Sequence, residues 1–375
     1  MRSSPTMKIR RINRNRIYQF ILQQRTTSKT EIAYKLRLSI PTVTQNVNEL
    51  ISQNLVIEDG EFESTGGRRA KMISCNARAK IAIGIDITWH HISAVIVDLL
   101  GNVIMNIRDK IHNYTNMQEI LPKVQQLIDY IISENDIDDS IVLGVGISLP
   151  AIIAEDMRTI KTAKVIPFPD DFFQKMKKYV HFPFFFYNDA NCGGFAELWK
   201  RKPLKRDMFY FSLSNTVGGA AMIDNQIYTG CDYFSSEIGH VTLIPNGRDC
   251  YCGQKGCVDC YCNSYCLSEM TGGDLDEFFN LLKQGDSKAK ARMEEYLVHL
   301  AIAVHNVHML FDCDLILGGY VGSYSDLYLD KLKRRLREMD TFERDYDYIT
   351  GCHYHTEASA VGAALILINR FINEV

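Results

Sequence analysis

The chain has 375 residues, 46% of them hydrophobic and 23% charged, with a formal net charge of −3. That length suits two or three domains with ordinary cores, and no run approaches the roughly eighteen apolar residues that a membrane span needs. The opening residues lack an apolar signal core, so a soluble, cytoplasmic protein with no membrane partner is expected, whose 11 cysteines point to metal and buried thiols rather than disulfides.

Charge is unevenly spread. Residues 1–80 carry about 15 Lys plus Arg against about 6 Asp plus Glu, near +9, which leaves the remainder near −12. A basic front joined to an acidic body suits one part that meets a polyanion, although a solvated basic tail gives the same count. From Asn13 a helix carries Ile17, Phe20 and Ile21 on one stripe and ends near Arg25. Ser28 and Glu31 form a capping box for a second, short helix that turns Ile32, Ala33 and Leu36 inward. After a turn at Arg37, Ser39 caps a third helix with Pro41 in its first turn. Val43, Val47, Leu50 and Ile51 are its buried side; Thr42, Thr44, Gln45 and Asn48 face out. Two short helices joined by a tight turn, the second exposing hydroxyls and amides, match a reader of the DNA major groove, with a protein-binding three-helix bundle as the plainer alternative. Strands near residues 55–57 and 72–73 flanking an acidic turn add a wing, and a Gly-Gly-Arg68-Arg69 linker suits the minor groove or a simple hinge.

The body begins with strands at 82–86 and 92–98 and a hairpin at Gly101-Asn102, followed by an amphipathic helix over 121–132 and a buried strand over 141–148. A strand at 184–187 runs into Asn188 and Asp189, ahead of a helix over 190–199. Residues at a strand end are placed for a binding site, and an Asp there can equally cap the next helix. A second half repeats the theme, with strands at 208–213 and 217–222 and a hairpin at Asp224-Asn225, which implies a cleft between lobes. Helices over 293–311 and 358–372 are expected to complete the second lobe and to contribute dimer contacts, and 272–292 to form an exposed, charged excursion.

Between the hairpin and that excursion lies Ser-Ser-Glu-Ile-Gly-His, then a C-x-C-x4-C array of Cys250, Cys252 and Cys257 punctuated by Gly253 and Gly256. Three thiols in a tightly turning loop can curl around one ion, and His240 completes a tetrahedral set without an open position, so the metal is structural and zinc is expected. Cys260, Cys262 and Cys266 read as bystanders, any of which could replace a named ligand; a metal-free cysteine loop is the alternative. If Glu237, His240 and Asp259 point into one pocket, they form a polyol-binding arrangement.

The Glu-Ile-Gly-His stretch followed by C-x-C-G-x-x-G-C-hydrophobic-acid resembles the ROK family of bacterial sugar kinases and sugar-responsive transcriptional repressors. The resemblance implies zinc on His240, Cys250, Cys252 and Cys257, and sugar contacts from Asn188, Asp189, Glu237, His240 and Asp259, the last standing where the family usually has Glu. Asp189 matches the catalytic base of the kinases. The phosphate loops do not match: the first, Asp-x-Gly-Gly-Thr-Lys in kinases, is here replaced over 86–91, with Thr88 and Trp89 for both glycines, and the second keeps only Gly218 and Gly219. Tyr320 takes the place of a small residue in the adenosine-side loop. Family repressors have a similar Gly-Gly-Arg-Pro linker, with Arg69 here in the proline position.

The expected fold is α/β: an N-terminal winged helix-turn-helix with linker (1–75), then a two-lobed actin-like or sugar-kinase body of ribonuclease H-like type, with lobes at 76–200 and 201–375. The expected function is a sugar-responsive repressor of carbohydrate genes. It would bind double-stranded operator DNA through Ser39, Thr42, Thr44, Gln45, Asn48, Arg68 and Arg69, respond to a sugar or sugar phosphate, carry structural zinc, form a homodimer or homotetramer and have no kinase activity. The rivals are a bifunctional sugar kinase carrying a DNA-binding domain and a ligand-independent DNA-binding protein.

Overall fold

The computed structural model describes residues 5–62, 70–111, 117–339, 342 and 346–375. Helices α1 (Pro5–Gln24), α2 (Lys29–Leu36) and α3 (Ile40–Ser52) enclose Ile17, Ile21, Ile32, Val43, Val47 and Leu50, none of which has exposed surface. The first helix starts about two turns before the apolar stripe announces it, because its early turns are polar and carry no periodic signal. Ser28 caps α2 by accepting from the Glu31 N–H at 3.2 Å. Glu31 does not return the bond to Ser28; its carboxylate takes the Thr27 hydroxyl at 2.9 Å. Ser39 caps α3 through the Thr42 N–H at 3.3 Å, and Arg37 makes the turn with φ 55°. The wing is a sheet of β1 (Thr26–Thr27), β2 (Val56–Glu61) and β3 (Lys71–Cys75) in the order β1-β3-β2, so the expected two strands gain a third. Glu58 ties wing to helix, bonded by Lys29 at 2.8 Å and Lys71 at 3.0 Å.

The first half of the body runs β4 (Ile81–Ile87), β5 (His91–Asp98), β6 (Val103–Lys110), α4 (Met117–Ser133), β7 (Val142–Leu149), the short pair β8 (Ile152–Ile153) and β9 (Ile160–Thr162), α5 (Phe172–Met176), β10 (Phe184–Asn188) and α6 (Asp189–Arg201). The second runs β11 (Met208–Leu213), β12 (Val217–Ile223), β13 (Gln226–Tyr228), α7 (Asp259–Cys262), α8 (Tyr265–Ser268), α9 (Leu275–Gln284), α10 (Ser287–Phe311), β14 (Asp314–Gly318), α11 (Gly319–Gly322), α12 (Leu329–Met339), β15 (Ile349–Gly351) and α13 (Ala358–Glu374). The two large sheets, ordered β10-β7-β4-β5-β6 and β13-β12-β11-β14-β15, are the same design used twice. In each, an antiparallel meander of three strands is extended beyond its first strand by two parallel ones.

The halves exchange their closing helices. The helix α6 lies against β11 and β12 of the second sheet, α13 lies against β4, β5 and β7 of the first, and the two pack on each other. This corrects the expectation that the C-terminal helix completes the second lobe: lobe by packing and lobe by sequence differ for both helices, so a boundary at residue 200 marks the chain and not the cores. The excursion at 272–292 is also not simply exposed, since α9 seats Phe278 and Phe279 fully in the second core. Its charged residues occupy only the outer face of a strongly amphipathic helix.

Absent side chains let α13 sit this close. A Cβ on Gly84 would stand 1.8 Å from the Ala360 carbonyl oxygen, one on Gly146 2.3 Å from that of Ala363, and one on Gly362 1.8 Å from that of Cys192. At its far end α13 meets the reading head: Arg14 of α1 donates from Nε to the Val375 carbonyl at 2.9 Å, Asn15 to that of Ile372, and Gln19 to Asn373 at 3.0 Å. Arg14 also pairs with Glu49 of α3 at 2.6 Å. Gly84→Ala is therefore expected to unseat α13 at a cost of about 1–3 kcal/mol or more, read as a lower urea midpoint, whereas Gly253→Ala, which meets no atom but keeps a φ of +96°, should cost only its local backbone strain.

Candidate functional site

A cavity of about 370 Å³ opens between the halves. Pro150, Ile152, Thr162 and Lys164 wall it from the first half and Phe234, Glu237, His240 and Tyr251 from the second, with Asn188 and Asp189 at its floor. Asn188 ends β10 and caps α6, its carboxamide oxygen accepting from the Asn191 N–H at 2.9 Å while Nδ2 donates to the Ala151 carbonyl at 3.2 Å. The strand-end asparagine thus does the capping that sequence alone left open for Asp189. Asp189 accepts from the Ala190 N–H at 2.8 Å and keeps oxygen capacity for a ligand. Burial pushes its carboxyl up to about 7, helped by Asp86 and Glu237 nearby. Burial likewise raises Glu237, whose carboxylate has no hydrogen-bond partner among the described residues.

Asp259 does not line the cavity. Only 3% exposed, it accepts the Val217 N–H at 2.6 Å and holds the start of β12 against the metal loop. Sequence reasoning missed Thr162, Lys164, Phe234 and Tyr251, and the single cue was Tyr251 between two cysteine ligands. Ser39, expected both to cap α3 and to meet DNA, is occupied as that cap, and its hydroxyl lies 2.8 Å from that of Thr42. Gln45 and Asn48 are exposed and Thr44 is half-buried on the outer side of α3, while Asn46 turns inward to donate to the Thr42 carbonyl at 2.8 Å. Arg68 and Arg69, with the linker, lie outside the described residues.

Beside the cavity, the donor atoms of His240, Cys250, Cys252 and Cys257 all lie within 4.8 Å of one another. Sγ of Cys250 is 3.8 Å from His240 Nδ1, and Sγ of Cys252 is 3.8 Å from that of Cys257. Burial and the adjacent thiols push Cys257 up to about 12, a penalty that a bound divalent cation reverses by stabilising thiolates. Three sulfurs and one imidazole with no gap for water fit a structural ion. The remaining nitrogen of His240, Nε2, is 3.4 Å from the Tyr251 hydroxyl at the cavity wall.

A second, smaller compartment of about 50 Å³ adjoins the first at Asp189 and Thr216. Asp86 lies here, accepting from the Ser148 hydroxyl at 2.7 Å, its carboxyl pushed up to about 6 by burial. Thr88, Trp89 and Tyr320 fill the space around it.

A winged-helix head on a two-lobed body with a cavity between the lobes is the architecture of a sugar-responsive transcriptional regulator. The ROK family profile matches residues 82–370, and the chain belongs to the ROK family. It is 24% identical to the "Xylose repressor" of Bacillus subtilis over 98% of this chain and 97% of that protein. Its fold matches that of a ROK family transcriptional regulator, a homologue of the E. coli MLC protein, with a TM-score of 0.76 and 19% identity over 98% of this chain and 97% of the other. A ROK family glucokinase from Streptomyces griseus, solved with glucose and AMPPNP, matches with a TM-score of 0.64 and 23% identity over 76% of this chain and 98% of that one.

Two outcomes test the site. Cys250→Ser should lose the bound metal, read by elemental analysis, and lower the melting temperature as much as chelation lowers that of the unmodified protein. Asp189 has a folded value of about 7, above the roughly 3.9 of an unfolded Asp. Its contribution is therefore intact below the unfolded value and is lost as pH rises to the folded one. Asp189→Asn should accordingly be more stable than the parent at about pH 8 and indistinguishable near pH 3.

Proposed function

We propose that the chain represses genes of sugar use by binding operator DNA through the outer face of α3, and that a free aldose in the interlobe cavity releases it. The arrangement of Asp189, Glu237 and His240 carries this reading: two acceptors and one imidazole nitrogen gathered at a cavity whose apolar walls suit the faces of a sugar ring. D-xylose is the first candidate, given the name of the Bacillus subtilis relative. Zinc is the ion proposed for His240, Cys250, Cys252 and Cys257, where it would hold the loop and supply no chemistry to a reaction. A homodimer or homotetramer in the cytoplasm would present two reading heads to two half-sites.

Coupling has a material route. The Ser359 hydroxyl at the start of α13 donates to the Asp189 carbonyl at 3.1 Å, and the other end of that helix is held by Arg14, which pairs with Glu49 of the reading helix. A shift of Asp189 on sugar binding is thereby delivered to α3 through one rigid element.

No phosphoryl transfer is proposed. The compartment next to Asp189 is small, about 50 Å³, and Thr88 and Trp89 stand where the kinase loop has the glycines that let backbone approach phosphates. One observation favours the rival kinase: Asp189 is tuned near 7, as a general base would be. ADP release with a panel of free sugars separates the two, since turnover abolished by Asp189→Asn would establish the kinase.

Mobility shift of operator DNA with added sugars is the direct test: D-xylose should weaken binding, and failure to bind any DNA at low salt would refute the repressor. The ionised form of Asp189 is the stronger acceptor, so sugar affinity should rise between about pH 6 and pH 8 and level off above. Calorimetry across that range reads it, and Asp189→Asn should flatten the profile.

A further inference from the structure

We propose that Arg108 and Tyr320 form a latch that fixes the two lobes to each other beside the sugar pocket, positioning the pocket without help from a second ligand. This rests on the reading of the larger cavity as a sugar site. The two residues come from opposite halves: Arg108 stands on β6 at the edge of the first sheet, and Tyr320 follows β14 of the second. Nη2 of Arg108 donates to the Tyr320 hydroxyl at 3.0 Å and to Nδ1 of His91 at 3.1 Å, one hydrogen for each. The guanidinium carbon also lies 5.0 Å from the centre of the Tyr320 ring. His91 must accept there, because a guanidinium only donates, and burial together with Arg108 keeps its imidazole neutral by lowering it to about 4.

Tyr320 is gripped from behind as well. Its N–H donates to Ser214 Oγ at 3.3 Å. Gly319 before it has a φ of +71°, and a Cβ there would fall 2.5 Å from that same Oγ and 2.8 Å from the Leu213 nitrogen. Backbone and hydroxyl are therefore both anchored, one in each lobe, and Tyr320 lines the compartment next to Asp189.

The consequence concerns the cost of closing a cleft. A site divided between two bodies loses affinity whenever the bodies must first be ordered. In a two-ligand cleft the second ligand can share that cost. Here a contact within the protein itself meets part of it, so a small polyol with a handful of hydroxyls binds a cleft already held at one end. Arg108 and Tyr320 are positioning residues: neither lines the larger cavity, and both act through the lobes that do.

Hydrogen exchange on the full chain tests the latch whatever the sugar. In Tyr320→Phe and in Arg108→Met, amides at residues 214–216 and 319–320 should exchange about tenfold faster, with the amides of β4 unchanged as an internal reference. The double variant should exchange no faster than either single one, and Arg108→Lys, which keeps a cation over the ring, should recover part of the protection. D-xylose affinity by calorimetry should fall by a similar factor in the single variants. Unchanged exchange at those amides, or effects that merely add in the double variant, would overturn the latch. Absence of D-xylose binding by the unmodified protein would instead count against the sugar assignment, and the exchange data would still decide the latch.

Discussion

Main chain touches main chain where α13 crosses the first sheet, and the rest of the molecule is arranged around that seat. Gly84 and Gly146 on adjacent strands remove the side chains that would hold α13 off the sheet, and Gly362 on the helix removes one that would hold it off α6, since each would place a Cβ within 2.3 Å of a carbonyl oxygen. The start of α13 lies behind Asp189 and its end beneath α1, so the floor of the cavity and the anchor of the reading head belong to one body. Buried Glu197 fixes the partner helix α6 in the same region, accepting the N–H groups of His353 and Tyr354 at 2.7 and 2.8 Å and pairing with Arg201 one turn on.

Electrostatics inside the cleft then decide what can enter. Asp86, Asp189 and Glu237 are all raised by burial, and Asp189 further by the other two. Such a cluster wants donors and repels anions. A sugar hydroxyl answers both demands, giving a hydrogen to a carboxylate without bringing charge into a low-dielectric space. A phosphate would need, besides a cation such as Lys164 on the cavity wall, a ring of backbone N–H groups. In place of such a ring stand the side chains of Thr88 and Trp89 and the filled ground around Tyr320. On the proposed reading, the carboxylates that would serve a kinase as acid and base serve a receptor as acceptors, and the difference lies in the neighbouring compartment.

Much of this was legible in the sequence, for identifiable reasons. Strands buried on both faces read as continuous apolar runs, the capped helices of the head announced their starts at Ser28 and Ser39, and the cysteine spacing brought the four metal-binding donors together. What escaped was whatever depends on distance along the chain. Periodicity gives α13 an apolar face and does not say which sheet covers it. A two-residue strand such as β1 has no period to detect. The amphipathic α9 shows its charges in sequence and hides Phe278 and Phe279 until it is folded. Asp259 matched a motif, yet a single methylene decides its role, because the shorter side chain ends at the Val217 N–H before it can reach the cavity. The walls contributed by Lys164 and Phe234 belong to irregular segments, and Thr162 to the three-residue strand β9, none of which carries a pattern that sequence alone could rank.

His240 shows how the loop that folds the protein also gives the pocket its polarity. An imidazole presents a donor or an acceptor according to which nitrogen carries the proton, and in solution the choice is nearly free. Here Nδ1 faces Cys250 and Nε2 faces Tyr251 at the cavity wall. If the four donors hold an ion through Nδ1, Nε2 would carry the proton and the ring would become a donor at the cavity wall, while Glu237 can only accept when ionised. A donor and an acceptor held on one short segment, three residues apart, match two neighbouring hydroxyls of a ring, one accepting and one giving. Without the ion the tautomer is set only by a 3.4 Å contact with a tyrosine that can itself rotate to give or take. An ion on these four donors would thus contribute to recognition through the protonation of one nitrogen.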